Sequence, residues 1–330
     1  MGFGSRMQKP TEGVEVDWNA LNEHVIEQAG TATKKKSVIG IISGLYDLGM
    51  QKIPDAEVAF TGTEEDERKA IAEMPQTYFV TKPNDKGAPT RYKCWPQKDQ
   101  MGVAIAIDFP TIMVNKGKFF GDENAEPKPL RLILNGEFSL GGERILGRVF
   151  DLKLNKKLGT WSLAQNSTLY KLATASGLIN DGEALLPQQL PELLGRAALF
   201  EMRVWMKPDK KDKSKAYFTE YVKLAGMIPD IMESLIPEFD PSILHTVEFD
   251  KENNEDHVKQ LRLSVRNTMK RSSEYEDSVV KTQIEKLFGS SASKDTEKPA
   301  THADESGFDE GAEDNKNDDN FDFDDDVPFN

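Results

Sequence analysis

The sequence predicts a mainly β fold with one inserted helix, further helices after the last strand and a disordered acidic tail. Short segments rich in β-branched and aromatic residues recur between turn-forming residues from about residue 36 to residue 226. One segment in that region has helical periodicity instead. The last forty residues hold 14 Asp or Glu and only 3 Lys. A segment this acidic cannot bury enough apolar surface to offset the entropy of ordering it.

Composition divides the chain into four regions. We expect an N-terminal extension over residues 1–33, a β-rich domain over 34–226, a helical region over 227–289 and the tail over 290–330. No run of about 18 apolar residues predicts a membrane span, and no secretory leader is recognisable. Cys94 is the only cysteine, which excludes an internal disulfide and fits a reducing compartment. We therefore expect a cytoplasmic protein.

The strands are predicted from local patterns, taken in order. In residues 102–109, for example, Val103, Ile105 and Ile107 alternate with smaller side chains. The predicted strands are 37–48, 77–81, 91–95, 102–109, 130–134, 145–154, 197–207 and 217–225.

The helices are predicted from periodicity and end signals. An acidic helix is expected over 63–74, and the inserted helix over 166–177, where Asn166 or Ser167 caps the start and Gly177 ends it. Amphipathic helices are expected over 229–237, 254–271 and 276–288. Short strands with one helix before the last strands are typical of an OB-type barrel, which we predict for residues 34–226.

Charge is distributed unevenly along the chain. The whole chain has a formal net charge of −14. The tail from Ser291 alone accounts for −11, whereas residues 34–225 hold 29 Lys and Arg against 24 Asp and Glu. A mildly basic body beside an acidic tail suggests a polyanion-binding domain with a tail that can imitate the polyanion.

Candidate catalytic and metal-binding residues are few. The four histidines are scattered, no phosphate-binding Gly-rich loop is present, and a single cysteine does not make a zinc site. We predict no catalytic residue, metal or cofactor. A metal-dependent nuclease built on Asp55 and Glu126 is the alternative function. It is disfavoured because Pro54 would remove a ladder hydrogen bond from the catalytic strand.

Two predicted strands carry alternating cations and aromatic rings on one face. Single-stranded nucleic acid needs this combination, because cations follow the phosphates and bases stack on ring faces. The alternative is that each Trp is a core residue whose neighbouring cations reach past it to solvent. The two sets are Arg91, Lys93 and Trp95, and Arg203, Trp205 and Lys207.

Further candidates lie in loops. Phe120, with Phe119 beside it, could stack on a base or plug the mouth of the barrel. The remaining loop candidates for nucleic-acid binding are Lys116, Lys118, Trp161, Lys210 and Lys211. A protein-only assembly factor with an acidic tail is a third possible class.

The end of the tail mixes Asp with aromatic residues. Its last residues include Phe323, Asp324, Asp325, Asp326, Val327, Pro328 and Phe329. This tip resembles the Asp-rich, Phe-containing terminus of bacterial single-stranded DNA-binding proteins.

The body is similar to phage-encoded single-stranded DNA-binding proteins with an OB fold. The likeness lies in the strand that holds Asp47, Leu48 and Gly49, in the helix over 166–177, and in the stretch 193–196 before the strand at 197–207.

The resemblance implies a non-enzymatic protein that coats single-stranded DNA during replication, recombination or repair, without sequence preference. It also implies that the tail tip, from Phe323 to Phe329, binds replication or recombination proteins such as a polymerase, helicase, primase or nuclease. A homo-oligomer is possible. The expected location is then the cytoplasm of a bacterial host.

Overall fold

The computed structural model describes residues 16–84, 86–149, 152–155, 159–209 and 212–289, and within them the fold is mainly β. The helices are α1 (Trp18–Ala29), α2 (Glu64–Glu73), α3 (Thr168–Ala175), α4 (Glu255–Lys259), α5 (Leu263–Met269) and α6 (Val279–Phe288). The strands are β1 (Lys36–Gln51), β2 (Ala56–Ala59), β3 (Tyr78–Pro83), β4 (Pro89–Trp95), β5 (Gln100–Val114), β6 (Lys128–Ile133), β7 (Phe138–Leu140), β8 (Glu143–Ile145), β9 (Leu152–Asn155), β10 (Thr160–Leu163), β11 (Ala197–Pro208), β12 (Ala216–Gly226) and β13 (His245–Val247).

A six-stranded sheet forms the centre of the fold. Its strands lie in the order β12-β11-β1-β5-β6, all antiparallel, and the short β13 pairs in parallel with β1. Strand β1 changes register with β5 between Ile42 and Gly44 and again between Asp47 and Met50. Such irregularities bend a strand and increase its twist, so the sheet curls.

The central strands of the sheet, β1 and β5, are covered on both faces. On one face, Leu21 of α1 and Leu172 of α3 pack with Ile107 and Phe200 in a large core. On the other face, helices α4 to α6 pack against β1 and β5 around Tyr46. Because both faces of β1 and β5 are covered, these strands read as almost continuous apolar runs. Helix α1 belongs to the first core although it lies in the region expected to be an extension.

The two edges of the sheet approach each other without forming a continuous ladder, so the predicted barrel is not closed. Just past β6, the Asn135 amide donates to the Val222 carbonyl at 2.8 Å. Arg262 donates both to Glu220 of β12, at 2.6 Å, and to the backbone carbonyl of Arg131 of β6, at 2.5 Å. Isolated bonds therefore bridge β12 and β6 where a barrel would have paired strands.

The chain between β1 and β5 forms a separate three-stranded sheet. Its order is β2-β4-β3, and α2 lies in the connection between β2 and β3. Thr63 and Asp66 cap α2 reciprocally, which explains why this acidic segment is helical as predicted. The strand expected over 91–95 is therefore present, but it belongs to this smaller sheet rather than to the central one.

The inserted helix is confirmed. Ser167 caps α3 by accepting from the Tyr170 amide at 3.2 Å, and Gly177 follows with a φ of 68°. No helix among the described residues is long and apolar enough to cross a membrane.

Two predicted elements are wrong because tertiary contacts interrupt them. The helix expected over 254–271 is two helices, α4 and α5, since Arg262 is extended where its side chain turns toward Glu220. The strand expected over 145–154 is split into β8 and β9. Between them the Leu146 amide binds the carbonyl of Val103, so that this stretch follows β5 instead of continuing straight.

Candidate nucleic-acid interface

The outer face of strands β11 and β12 carries one of the two predicted cation–aromatic sets. Phe200, Met202 and Val204 of β11 are buried in the first core. Arg203 and Trp205, which alternate with them, are half-buried on the opposite side. The alternation predicted for this strand is therefore confirmed, and the two side chains lie on the face away from the core.

The register of the hairpin brings further aromatic side chains to this face. Tyr217 lies directly opposite Lys207, and Tyr221 lies directly opposite Arg203. Two tyrosines of β12 thus flank the position of Trp205, because residues on one face of a strand recur every second position. Sequence reasoning missed both tyrosines. Their spacing of four is consistent with one face, but only the register shows which cations they meet.

Strand β12 and the chain before β1 complete the charge on this face. Lys223 lies opposite Glu201 in the hairpin, and Lys35 reaches the same face from the residue before β1. We call this surface the hairpin face. Its members are Lys35, Glu201, Arg203, Trp205, Lys207, Tyr217, Tyr221 and Lys223.

Arg203 is held over Trp205. The centre of its guanidinium lies 4.5 Å from the centroid of the indole ring, and its Nη2 donates to the Ala32 carbonyl at 2.9 Å. A guanidinium stacked on an aromatic face retains N–H groups that can bind phosphate. This pair therefore places a cation and a ring side by side.

Lys35 is held in a similar way. Its Nζ lies 2.8 Å from Glu201 Oε1 and 4.3 Å from the centroid of the Tyr221 ring. The hydrogen bond to Glu201 raises the pKa of Lys35, and burial raises the pKa of Tyr221. Lys35 is thus a permanent cation at neutral pH.

The second predicted set lies elsewhere. Arg91 on β4 makes a two-pronged ion pair with Glu67 of α2, at 2.8 and 3.0 Å, so its guanidinium serves the packing of α2. Lys93 lies 5.9 Å from the centroid of Trp95, which is half-buried. Because β4 belongs to the smaller sheet, Trp95 and Trp205 do not share a sheet face.

The predicted loop residues after β5 pack against α1. Phe120 meets Trp18 edge-on at 5.8 Å between centroids, and Phe119 lies 5.5 Å from the His24 ring. Lys118 lies 4.9 Å from the centroid of Phe119, and Lys116 lines a crevice between α1, β6 and β12. Phe119 and Phe120 therefore pack against α1, and the Phe120 side chain is still 43% exposed.

Trp161 on β10 is the most solvent-accessible of the candidate tryptophans. Its side chain is 59% exposed and lies directly opposite Leu154 of β9, which is 49% exposed. An exposed ring on a short hairpin could stack on a base, but Trp161 lies on a different sheet from the hairpin face.

Several predicted residues lie outside the described residues. They are Lys210, Lys211, Phe323, Asp324, Asp325, Asp326, Val327, Pro328 and Phe329.

The residues of the nuclease alternative do not come together into a metal site in the described structure. Asp55 accepts a hydrogen bond from the Tyr78 hydroxyl at 2.6 Å. Within the described ranges, no group of three His, Cys, Asp or Glu side chains is placed to hold a metal ion.

Comparisons with known protein families, with curated proteins and with solved structures find no match to this chain. We therefore infer function from the chemistry of the hairpin face itself.

Proposed function

We propose that this protein binds single-stranded DNA without sequence preference and acts without enzymatic activity in replication, recombination or repair. The hairpin face carries the proposal, because it interleaves four cations with three aromatic rings on one sheet surface. Cations that follow the backbone and rings on which any base can stack are the two elements that such binding requires.

The geometry of the hairpin face suits a single DNA strand that runs along β11 and β12. Trp205 is opposite Thr219, so Tyr217 and Tyr221 lie diagonally on either side of it. Diagonal neighbours across an antiparallel pair are about 7–8 Å apart, which is within reach of large aromatic side chains. A flexible single strand can place successive bases on such rings, whereas the stacked bases of a duplex are not accessible.

The proposal includes two features predicted from the sequence. One is an OB-type architecture, supported by the curled central sheet and by the approach of its edges at Asn135 and Val222. The other is recruitment of replication or recombination enzymes by the acidic tail, supported by the Asp-rich sequence that ends at Phe329.

A salt titration of binding to fluorescent oligo-dT tests the proposal. We expect tight binding at low salt, with log K falling linearly against log salt because bound cations release counterions from the phosphates. Replacing Lys207 and Lys223 by Gln should flatten the slope by about 0.7 for each phosphate that is no longer neutralised. Duplex DNA of the same length should bind more weakly.

A matched pair of variants locates the site. Trp205→Ala removes a ring of the hairpin face, and Trp161→Ala removes an exposed ring on another hairpin. Loss of affinity for oligo-dT only in the first variant supports the hairpin face. If the protein fails to bind oligo-dT at any salt concentration, the proposed function is wrong.

A further inference from the structure

The hairpin face contains one carboxylate, Glu201, among its cations. Its Oε1 lies 2.8 Å from Lys35 Nζ, and the same ammonium group lies 4.3 Å from the centroid of the Tyr221 ring. The carboxylate therefore holds Lys35 in place over a ring that could otherwise receive a base.

We propose that Glu201 occupies, on Lys35, the position that a nucleic-acid phosphate takes in the complex, and that this exchange uncovers Tyr221. The inference rests on the proposed function, and it adds Lys35, Glu201 and Tyr221 to the residues that control binding. Glu201 acts as an internal competitor for the phosphodiester.

The exchange should cost little free energy because the ion pair between Lys35 and Glu201 is exposed. The side chains of Lys35 and Glu201 retain 44% and 38% of their accessible surface. Exposed ion pairs contribute little to stability, so a phosphate oxygen can replace the carboxylate at small cost. An ammonium group on a flexible stem can also follow the phosphate away from the ring.

The displaced carboxylate has another cation within reach. Lys223 of β12 lies directly opposite Glu201 in the β11–β12 register. Directly opposite side chains on one face of an antiparallel pair have Cβ atoms about 4.5–5.5 Å apart. Glu201 can therefore turn from Lys35 to Lys223 when a phosphate arrives.

The smaller sheet contains a matched arrangement that provides a control. Lys82 Nζ lies 2.5 Å from Glu57 Oε2 and 5.0 Å from the centroid of Tyr92. The exposures of this lysine and glutamate, 42% and 36%, are nearly those of Lys35 and Glu201. The two groups share their chemistry and differ in the sheet that carries them.

The test compares Glu201→Gln with Glu57→Gln in the full chain, each titrated with fluorescent oligo-dT over a range of salt concentrations. Glu201→Gln should bind several-fold more tightly at low salt. Its log–log salt slope should be steeper by about 0.7, because the face then has no carboxylate to compensate Lys35 or Lys223 and so offers the phosphates one more cation. Glu57→Gln should match the unmodified protein in both quantities.

A double variant ties the effect to Lys35. In a Lys35→Gln background, Glu201→Gln should tighten binding less than it does alone, because no ion pair with Lys35 is left for the phosphate to displace. Equal tightening in both backgrounds would overturn the exchange. Circular dichroism melts of all variants verify that these exposed substitutions leave the fold intact.

Each outcome separates this inference from the proposed function. If the unmodified protein binds oligo-dT and Glu201→Gln binds identically, the exchange is wrong and the function stands. Equal tightening by Glu57→Gln and Glu201→Gln, or tightening with an unchanged slope, would also overturn the exchange. Tighter binding by Glu57→Gln alone would place the DNA interface on the smaller sheet and would also overturn the exchange at Glu201. Absence of binding by every variant, including the unmodified protein, would instead reject the function.

Discussion

Arg262 and Glu220 form a buried ion pair that connects the C-terminal helices to the edge of the central sheet. The Arg262 side chain is 8% exposed and that of Glu220 is 6% exposed, and the Nη1–Oε1 distance is 2.6 Å. Glu220 lies on β12 between Thr219 and Tyr221, whose side chains point to the opposite, hairpin face. The helical region thus fixes the strand that carries part of the proposed binding surface.

Removing the arginine of this ion pair while leaving the glutamate should destabilise the protein. Arg262→Met leaves the Glu220 carboxylate buried without its cation, for which we expect a loss of about 3–5 kcal/mol in the free energy of unfolding. Urea denaturation measures the loss. Arg271→Met, which changes an exposed arginine on the chain just past α5, is the control and should stay within about 0.5 kcal/mol of the unmodified protein.

The double variant Glu220→Met with Arg262→Met distinguishes a buried-charge effect from a packing effect. Because it buries no uncompensated charge, it should be more stable than Arg262→Met alone. A double variant at least as unstable as the single one would show that the charge of Glu220 is not the cause.

His245 should make the protein sensitive to acid. It is 1% exposed, its Nδ1 donates to the Ile243 carbonyl at 2.8 Å, and its Nε2 accepts from the Tyr46 hydroxyl. Burial, and next the positive charge of Arg131, lower its pKa from 6.5 to about 4. The neutral imidazole therefore belongs to the folded state.

The direction of the pH effect follows from proton binding. Between about pH 6.5 and pH 4 the unfolded chain binds a proton at His245 that the folded chain does not, so stability falls as pH falls through this window. The full effect is about 3 kcal/mol. In urea denaturation across this range, His245→Gln should show a shallower decline. A decline identical to that of the unmodified protein would assign the acid sensitivity to other groups.

Glu143 should change the stability in the opposite direction to His245, because its contribution is lost as pH rises. It is 2% exposed, and burial raises its pKa from 4.5 to about 7, although the Ser264 hydroxyl donates to its carboxylate. The folded state keeps the proton that the unfolded state releases. The stability from this protonated carboxyl is therefore complete below about pH 4.5 and is lost as pH rises through about 7.

Glu143→Gln separates the two effects. Glutamine retains a similar shape but cannot ionise, so the variant should lose less stability than the unmodified protein between pH 4.5 and pH 7 and above. Urea denaturation at several pH values measures this difference, and His245→Gln is the control because the His245 contribution to stability changes in the opposite direction over an overlapping pH range. Parallel pH profiles for Glu143→Gln and the unmodified protein would contradict the raised pKa.

Local patterns predicted a large part of this fold, and long-range pairing determined the rest. The alternation around Arg203 and Trp205 and the cap at Ser167 could be read from neighbouring residues, because each depends on a period or an end signal. The break before α5 could not, since it depends on a contact between Arg262 and Glu220, 42 residues apart.

The candidate site was likewise predicted only in part, because some of its residues are brought together by long-range strand pairing. The set at Arg203, Trp205 and Lys207 is visible in the sequence, but the tyrosines of β12 join it only through the hairpin register. Conversely, the set at Arg91 looked equivalent in sequence. Its pairing with Glu67 depends on the placement of α2, which no local pattern indicates.

The rings of the hairpin face should contribute directly to binding. We expect Trp205→Ala and Tyr221→Ala each to weaken oligo-dT binding by about 1–3 kcal/mol, because each removes one stacking surface. The sequence predicts the same loss for Trp95→Ala, so this variant tests whether the smaller sheet also takes part. Fluorescence anisotropy measures affinity, and circular dichroism checks folding. Normal binding by both hairpin-face variants would exclude this face as the stacking surface.

The acidic tail should have two separable effects. Residues 291–330 carry a net charge of −11 and are tethered to the body, so they should compete with DNA for the basic surface at a high effective concentration. Deleting them should tighten oligo-dT binding at low salt and change it little at high salt, where screening weakens the competition. A salt titration of the intact and truncated chains measures this difference, and equal affinities at low salt would contradict the competition.

Phe329 should serve partner binding alone. We expect its ring to enter an apolar pocket on a replication enzyme, with Asp324, Asp325 and Asp326 near Lys or Arg at the rim of that pocket. Phe329→Ala should then abolish recruitment of replication proteins in a pull-down and leave oligo-dT affinity unchanged, because the tail keeps its full charge. Neutralising the three aspartates to Asn is the matched comparison, since it should alter both recruitment and the competition with DNA. Identical recovery of replication proteins by the intact tail and by Phe329→Ala would reduce the tail to an electrostatic competitor.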